Sequence, residues 1–238
     1  MIGKGKSISH GVAALEYDLA KEINGQAVAT EIARHELYGC TGAEMVQEMK
    51  PYHIDFPNVK NNCLRFEVSP SIEESATFTD ADWAELGNDF MQRMGLANHQ
   101  YIIIRHSGTE SKKEQAHLHI LANRVSLSGE LYRDNWIGKK ATEAANAIAK
   151  ERNFVQSQDI GKVNKAEIKE TMDGVLKKMQ GFDFTKFKEE LGKRGFKVRE
   201  ARASTGKLNG YYVTARSGTE YKACLLYTSP SPRDTERS

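Results

Sequence analysis

Cysteine is scarce in this 238-residue chain, with three residues, Cys40, Cys63 and Cys224, and no close pair among them. An odd number at such spacing excludes a disulfide framework and fits a reducing cytoplasm. No run of about 18 or more apolar residues occurs, so no membrane-spanning helix is expected. The N-terminus, Met1-Ile-Gly-Lys-Gly-Lys6, lacks the apolar core of an export signal. Neither charge sign is in excess: 34 Lys and Arg against 32 Asp and Glu leave +2, too little to diagnose a polyanionic partner from charge alone. One local exception is the basic stretch Lys193, Arg194, Lys197, Arg199, Arg202 and Lys207, opposed only by Glu200. It fits a solvated face and a phosphate-contacting surface equally well. No internal repeat is present. Hydrophobic residues make up 39%, enough for one good-sized domain or a domain with a small appendage.

Periodicity supplies the elements. A short first strand is expected over residues 4–9 and a helix over 11–23, with Leu15, Leu19 and Ile23 as its apolar stripe. Residues 25–60 are mixed, apart from a helix near 41–49 with Thr41 as N-cap and Glu44 at the capping-box position. Residues 62–69 alternate apolar and polar, as a half-buried strand does. A helix runs from Thr79, with Trp83, Leu86, Phe90 and Met94 on its apolar face and Gly95 as its stop. Strands then follow around 101–106 and from His117 to Asn123, joined by a polar loop. Further helices are expected at 142–152, 165–179 and 185–194, and strands at 196–202 and 211–216. A composition shift near Gly181 separates a main domain, residues 1–180, from a small α+β module, residues 181–223.

The densest chemical signal is His117-Leu-His119. Residues two apart on a strand point the same way, so the two imidazoles share a face while Leu118 and Ile120 turn into a core. The preceding strand delivers His106, and Asn123 lies on the same face as the pair. An antiparallel hairpin of this kind puts its polar face toward solvent. Most isolated His-x-His pairs bind nothing. Three histidines on neighbouring strands, however, can hold a divalent metal with positions left open for substrate. Such a trio does not name a reaction, since hydrolases, dioxygenases and nucleases all use histidine clusters. A tyrosine nucleophile would suit phosphoryl transfer. Among nine tyrosines, Tyr17 stands out for facing away from the apolar stripe of its helix, only somewhat ahead of Tyr38 and Tyr52.

Three stretches carry a family likeness. They are Lys4-Gly-Lys-Ser-Ile8 with Ala14-Leu-Glu-Tyr-Asp-Leu-Ala-Lys21, then Gly95-Leu-Ala-Asn-His-Gln-Tyr-Ile-Ile-Ile-Arg-His106, then His117-Leu-His-Ile-Leu-Ala-Asn-Arg-Val125. Together they resemble the relaxases, the mobilisation nucleases of plasmids and integrative elements, within the wider group of His-hydrophobe-His endonucleases. Residues 184–223, with the Gly206-to-Gly210 turn, are similar to that family's trailing module. The resemblance implies an α+β fold, a two-layer sandwich whose central antiparallel sheet carries the His-x-His strand, with helices packed on one face. It implies Tyr17 as nucleophile, His106, His117 and His119 as ligands of Mg²⁺ or Mn²⁺, and Asn123 as a supporting residue. It implies single-stranded origin-of-transfer DNA as substrate, nicked through a 5′-phosphotyrosine link, with an accessory mobilisation protein and a coupling protein as partners. Arg105, Arg124, Lys197, Arg199 and Arg202 are candidate DNA contacts. Two departures stand out. Many family members have an aspartate where this chain has Gly108, which leaves Glu110 or Glu114 to orient a ligand. The gap from His106 to His117 is also longer than usual.

Cys224-Leu-Leu-Tyr-Thr-Ser-Pro-Ser-Pro-Arg-Asp234 resembles the translation of a transposase-type sequencing-library adapter, so residues 224–238 are expected to be a non-native tail and the native chain to continue differently. The alternatives to a relaxase are a replication initiator or single-strand transposase of the same superfamily, a DNA-binding accessory protein with a degenerate site, and a zinc hydrolase acting on small molecules.

Overall fold

The computed structural model describes residues 1–108, 115–203, 206, 208–216 and 218–227. Glu110, Glu114, Lys207, most of the turn at 204–207 and residues 228–238 of the expected tail lie outside the described residues. The chain divides into two compact units, Met1–Ser157 and Gln158–Ser238.

In chain order, the first unit contains β1 (Ile2–Ile8), α1 (Gly11–Leu19), a ribbon of β2 (Glu22–Ile23) and β3 (Gln26–Ala27), β4 (Ala29–His35) and α2 (Gly42–Met49), which runs into a 3₁₀ turn at Lys50–His53. Then come β5 (Cys63–Ser69), α3 (Ile72–Ser75), α4 (Asp80–Arg93), β6 (His99–His106), β7 (His117–Ser126) and α5 (Ile137–Glu151). Five strands form one antiparallel sheet in the order β1-β5-β7-β6-β4. The expected capping signals operate. Thr41 and Glu44 close a reciprocal capping box at α2, and Thr79 and Asp82 close one at α4. Each satisfies backbone N–H groups that a helix start leaves without intrahelical partners.

Alternation decides which face each strand residue takes. On one face Leu64, Phe66, Val68, Ile103, Leu118, Ile120 and Ala122 pack against Trp83, Leu86, Phe90 and Met91 of α4 and Ala141, Ala145 and Ile148 of α5. Burying each large side chain here contributes roughly 1.5–3 kcal/mol. α5 lies close along β1, and Gly5 permits it: a Cβ there would fall 2.8 Å from the Phe66 ring and 3.2 Å from Ala141 Cβ. The other face carries Ile8, Cys63, Ile102, Ile104 and Leu121 under Ala14 and Leu15 of α1 and Met45, Val46 and Met49 of α2.

The fold is thus α+β, with helices packed on a central antiparallel sheet that carries the His-x-His strand. α4 and α5 form the helical layer on one face. The histidine-bearing face, expected to look toward solvent, is roofed over part of its area by α1 and α2. The reason is local: Ala14 with Leu15, and Met45 with Val46 and Met49, give those helices apolar stripes that need a surface to cover. α1 also ends at Leu19, four residues short of the expected end, because Ile23 enters the β2–β3 ribbon. β4 falls inside the stretch that reads as mixed; its residues are half-buried or exposed at a sheet edge, so no apolar alternation marks it.

The second unit holds α6 (Ser157–Lys178), which begins at the last residue of the first, α7 (Phe184–Lys193), β8 (Lys197–Arg202), β9 (Leu208–Thr214), β10 (Glu220–Lys222) and α8 (Cys224–Tyr227). Its antiparallel sheet runs β10-β9-β8. Ile168, Met172 and Val175 of α6 pack with Phe187, Leu191, Phe196 and Val213 in one core. α6 therefore belongs to this unit, and the composition shift near Gly181 falls within the unit. Among the described residues no helix is long and apolar enough to cross a membrane.

Candidate metal centre and its surroundings

His106 and His117 are direct cross-strand partners in the β6–β7 register, and Ile104 faces His119. Cross-strand partners share a face, so the register brings all three imidazoles together. One ligand nitrogen from each ring lies within 4.8 Å of the others. His106 is 2% exposed and His117 7%. Neighbouring carbonyls fix two of the rings: His106 Nε2 donates to the Asp18 carbonyl at 2.7 Å and His117 Nδ1 to the Gln115 carbonyl at 3.0 Å. Those bonds leave lone pairs on His106 Nδ1 and His117 Nε2. His117 Nε2 faces His119 Nε2 at 3.1 Å. Two ring nitrogens that close share a proton or a cation.

Burial, followed by the charges of His106, His117, Arg65 and Lys4, pushes the His119 imidazolium pKa down to about 2. Burial likewise lowers that of His106. Neutral imidazole is the ligating form. The donor set, its spacing and the lowered pKa values of His106 and His119 fit a divalent ion.

The structure adds two residues that sequence reading missed. Asp18, 2% exposed, receives Arg65 in a two-pronged pair, Nε to Oδ2 at 3.0 Å and the terminal nitrogen to Oδ1 at 2.5 Å. Its Oδ1 lies 3.8 Å from His119 Nδ1, and the Arg65 terminal nitrogen lies 3.3 Å from the same atom. A carboxylate thus stands beside a candidate ligand although Gly108 offers none. The polar positions of β5 and the residue after Tyr17 were the only signals available, because the β5–β7 register is long-range.

Lys4, Lys6, Arg65 and Glu67 join His119, Gly5 and the Phe66 edge in lining a cleft of about 210 Å³ beside the trio. Three cations against one carboxylate make it suited to an anion.

Tyr17 is 57% exposed near the end of α1. Its hydroxyl accepts a hydrogen bond from Lys21 Nζ at 2.6 Å, and the same ammonium lies 4.7 Å from the ring centroid. α1 is held at both ends. At its start Gly11 sits so close to β5 that a Cβ would fall 2.5 Å from Cys63 Sγ. Near its end Asp18, next to Tyr17, takes the bonds from His106 and Arg65. Tyr38 differs: its hydroxyl donates to Glu36 at 3.0 Å, and that hydrogen bond raises its pKa, the wrong direction for a nucleophile.

The remaining expected residues do not join the trio. Asn123 is fully buried in its own network with His53, Gln100 and the Val125 amide. Arg105 and Arg124 each stand one residue out of step with the histidines on their strands and so lie on the opposite face. Arg105 pairs with Asp80 and Arg124 with Asp134 at 2.6 Å. In the second unit, Arg199 pairs with Glu220 and lies over the Tyr212 ring, Arg202 pairs with Glu200, and Lys197 is exposed on β8.

Comparison with known proteins gives the family. No curated protein matches the chain. Among solved structures, a conjugative relaxase, TrwC, in complex with oriT DNA in a metal-bound form aligns over 93% of this chain and 75% of its own, at 11% identity and a TM-score of 0.39. The family model "Relaxase: MobA/VirD2-like, nuclease domain" matches residues 17–154, more than half of the chain, from Tyr17 through all three histidines to the end of α5. The chain therefore belongs to the relaxase family, as a DNA endonuclease and strand transferase with a MobA/VirD2-like nuclease domain.

Proposed function

We propose that this protein nicks one strand of a transfer origin at a specific site, with Tyr17 as nucleophile and with a divalent cation bound by His106, His117 and His119. The observation that carries the reading is the convergence of the three imidazoles with Asp18, on the helix that presents Tyr17. When bound, Mg²⁺ or Mn²⁺ would polarise the scissile phosphate and neutralise charge developing on it.

The chain's own groups do the rest. Lys4, Lys6 and Arg65 draw the phosphodiester backbone into the cleft. Lys21 holds the phenol oxygen in one orientation through its 2.6 Å bond. Tyr17 Oη attacks phosphorus, and its proton passes to the solvent that reaches this half-exposed side chain. The bond from phosphorus to the 3′ oxygen breaks, and that oxygen leaves with the electron pair and takes up a proton. A 5′-phosphotyrosine and a free 3′-hydroxyl result, and the reverse attack reseals the strand. Asp18 and Arg65 keep His119 in place. An accessory mobilisation protein and a coupling protein would act on the covalent complex.

The test is covalent capture. The protein is incubated with Mn²⁺ and a pool of labelled single-stranded oligonucleotides and run on a denaturing gel. Wild type should form a protein–DNA adduct that chelator prevents. Y17F should form none; an adduct on Y17F would reassign the nucleophile. Cleavage by the H117A/H119A double variant would overturn the metal site.

A further inference from the structure

Trp136 is the most exposed large hydrophobic side chain among the described residues, at 81%. It occupies the N-cap of α5 with φ 59° and ψ 27°, and its side chain makes no cap hydrogen bond. Each local preference argues against tryptophan there. Helix N-caps favour Ser, Thr, Asp or Asn, the left-handed region favours Gly or Asn, and a bare indole is poorly placed in water. Among the described residues the indole makes no hydrogen bond, ring contact or cation–π contact that would offset this. A residue that opposes the fold locally and gains nothing within the chain points to a ligand outside it.

Its position names that ligand. Two residues on, Gly138 abuts β1: a Cβ there would lie 3.5 Å from the Gly5 carbonyl, between Lys4 and Lys6 of the cationic cleft. The loop before Trp136 reaches the end of the same strand through a chain of bonds, Asp134 to Arg124, Arg124 to the Asn61 carbonyl, and Asn61 to Ser7. β1 is the edge strand of the sheet. A strand of nucleic acid leaving the cleft over that edge meets an exposed indole followed by Lys139, exposed and paired with Glu143 at 3.7 Å, and by Lys140, half-buried with its ammonium donating to the Arg133 carbonyl at 2.7 Å. Aromatic faces stack on any base, and flanking cations hold the backbone.

We propose that Trp136 is a stacking platform for a nucleobase of the single strand that runs from the cleft across the edge of β1. This rests on the DNA-nicking reading and extends it to a contact outside the histidine centre.

The experiment uses the full chain, chelator to prevent cleavage, and a fluorescein-labelled single-stranded oligothymidylate. Binding is followed by the label's anisotropy and, with unlabelled DNA, by indole emission. Trp83, 2% exposed, supplies a constant background. Wild type should show quenching with the same midpoint as the anisotropy change. W136G should bind about 5- to 100-fold more weakly, with a melting temperature equal to or above wild type because glycine suits the left-handed backbone. W136F should stay within about 3-fold of wild type, since a smaller ring still stacks. On an abasic oligonucleotide, wild type and W136G should bind alike. Binding without quenching, or W136G binding thymidylate as tightly as wild type, would overturn the platform and leave the nicking reading intact. No anisotropy change at any protein concentration would also overturn the platform, whereas the nicking reading falls only if the covalent-capture assay gives no adduct.

Discussion

At one end of β7, His117 and His119 turn their Nε2 atoms toward each other at 3.1 Å. On the same face of the same strand, Asn123 is also buried, yet all its polar atoms are engaged. His53 Nε2 donates to its Oδ1 at 2.7 Å, the Val125 amide donates to that oxygen at 3.0 Å, and its own amide donates to Gln100 Oε1 at 3.0 Å. Burial alone does not distinguish the two ends of the strand. The distinction lies in where the lone pairs go: those of Asn123 are used up inside the chain, while those of the histidines converge on a common point.

That contrast can be broken by mutation. The largest effect should come from H119A, which should lower metal-dependent nicking by about 100-fold or more and abolish calorimetric Mn²⁺ binding, with the circular dichroism spectrum retained. N123A should do the reverse. It strands His53, Gln100 and the Val125 amide, so chemical denaturation should show a loss of about 2–4 kcal/mol, while Mn²⁺ affinity of the folded protein stays near wild type. A large loss of metal affinity in N123A would erase the distinction between the two ends. D18N should fall between them, with Mn²⁺ affinity reduced about 10- to 100-fold and a lower melting temperature, because Arg65 loses its charged partner.

A smaller effect concerns pH. The pKa values of His106 and His119 are lower in the folded chain than in the unfolded one. Between the folded and unfolded values the unfolded chain binds more protons, so stability falls as pH drops below about 6.5. Melting temperatures in chelator should decline from pH 7 to pH 5, with a shallower decline in an H106Q/H119Q variant. R105A should alter oligonucleotide affinity least, by less than about 3-fold, because that arginine lies on the far face and takes no part in holding the loop before Trp136; R65A should weaken it visibly more.

How much the sequence reveals depends on range. His117, Leu118 and His119 report their own faces through parity, and the polar loop before them makes the β6–β7 hairpin readable. Thr41 with Glu44 and Thr79 with Asp82 announce their helices within four residues. The same parity places Arg105 and Arg124 away from the histidines, a reading that counting out of step with His106 and His117 already supplies. Asp18 and Arg65 are different. Their meeting depends on α1 crossing β5, and their approach to His119 on β5 pairing with β7, neither of which is local. α5 begins at Ile137, five residues before its expected start, because its cap is Trp136 and carries none of the usual capping chemistry.

The anchoring of α1 has a consequence for reversibility. Gly11 pressed against Cys63 and Asp18 bound to both Arg65 and His106 leave the helix little room to pivot. On the proposed mechanism, the cut 5′ end is joined to that helix through Tyr17. A rigid attachment confines the captured end to a small volume and keeps its effective concentration near the waiting 3′-hydroxyl high. Resealing then becomes a matter of retention more than of speed. A G11A variant, which pushes the helix outward, should release more unsealed strand per cut than wild type, even where its first cut is only modestly slowed.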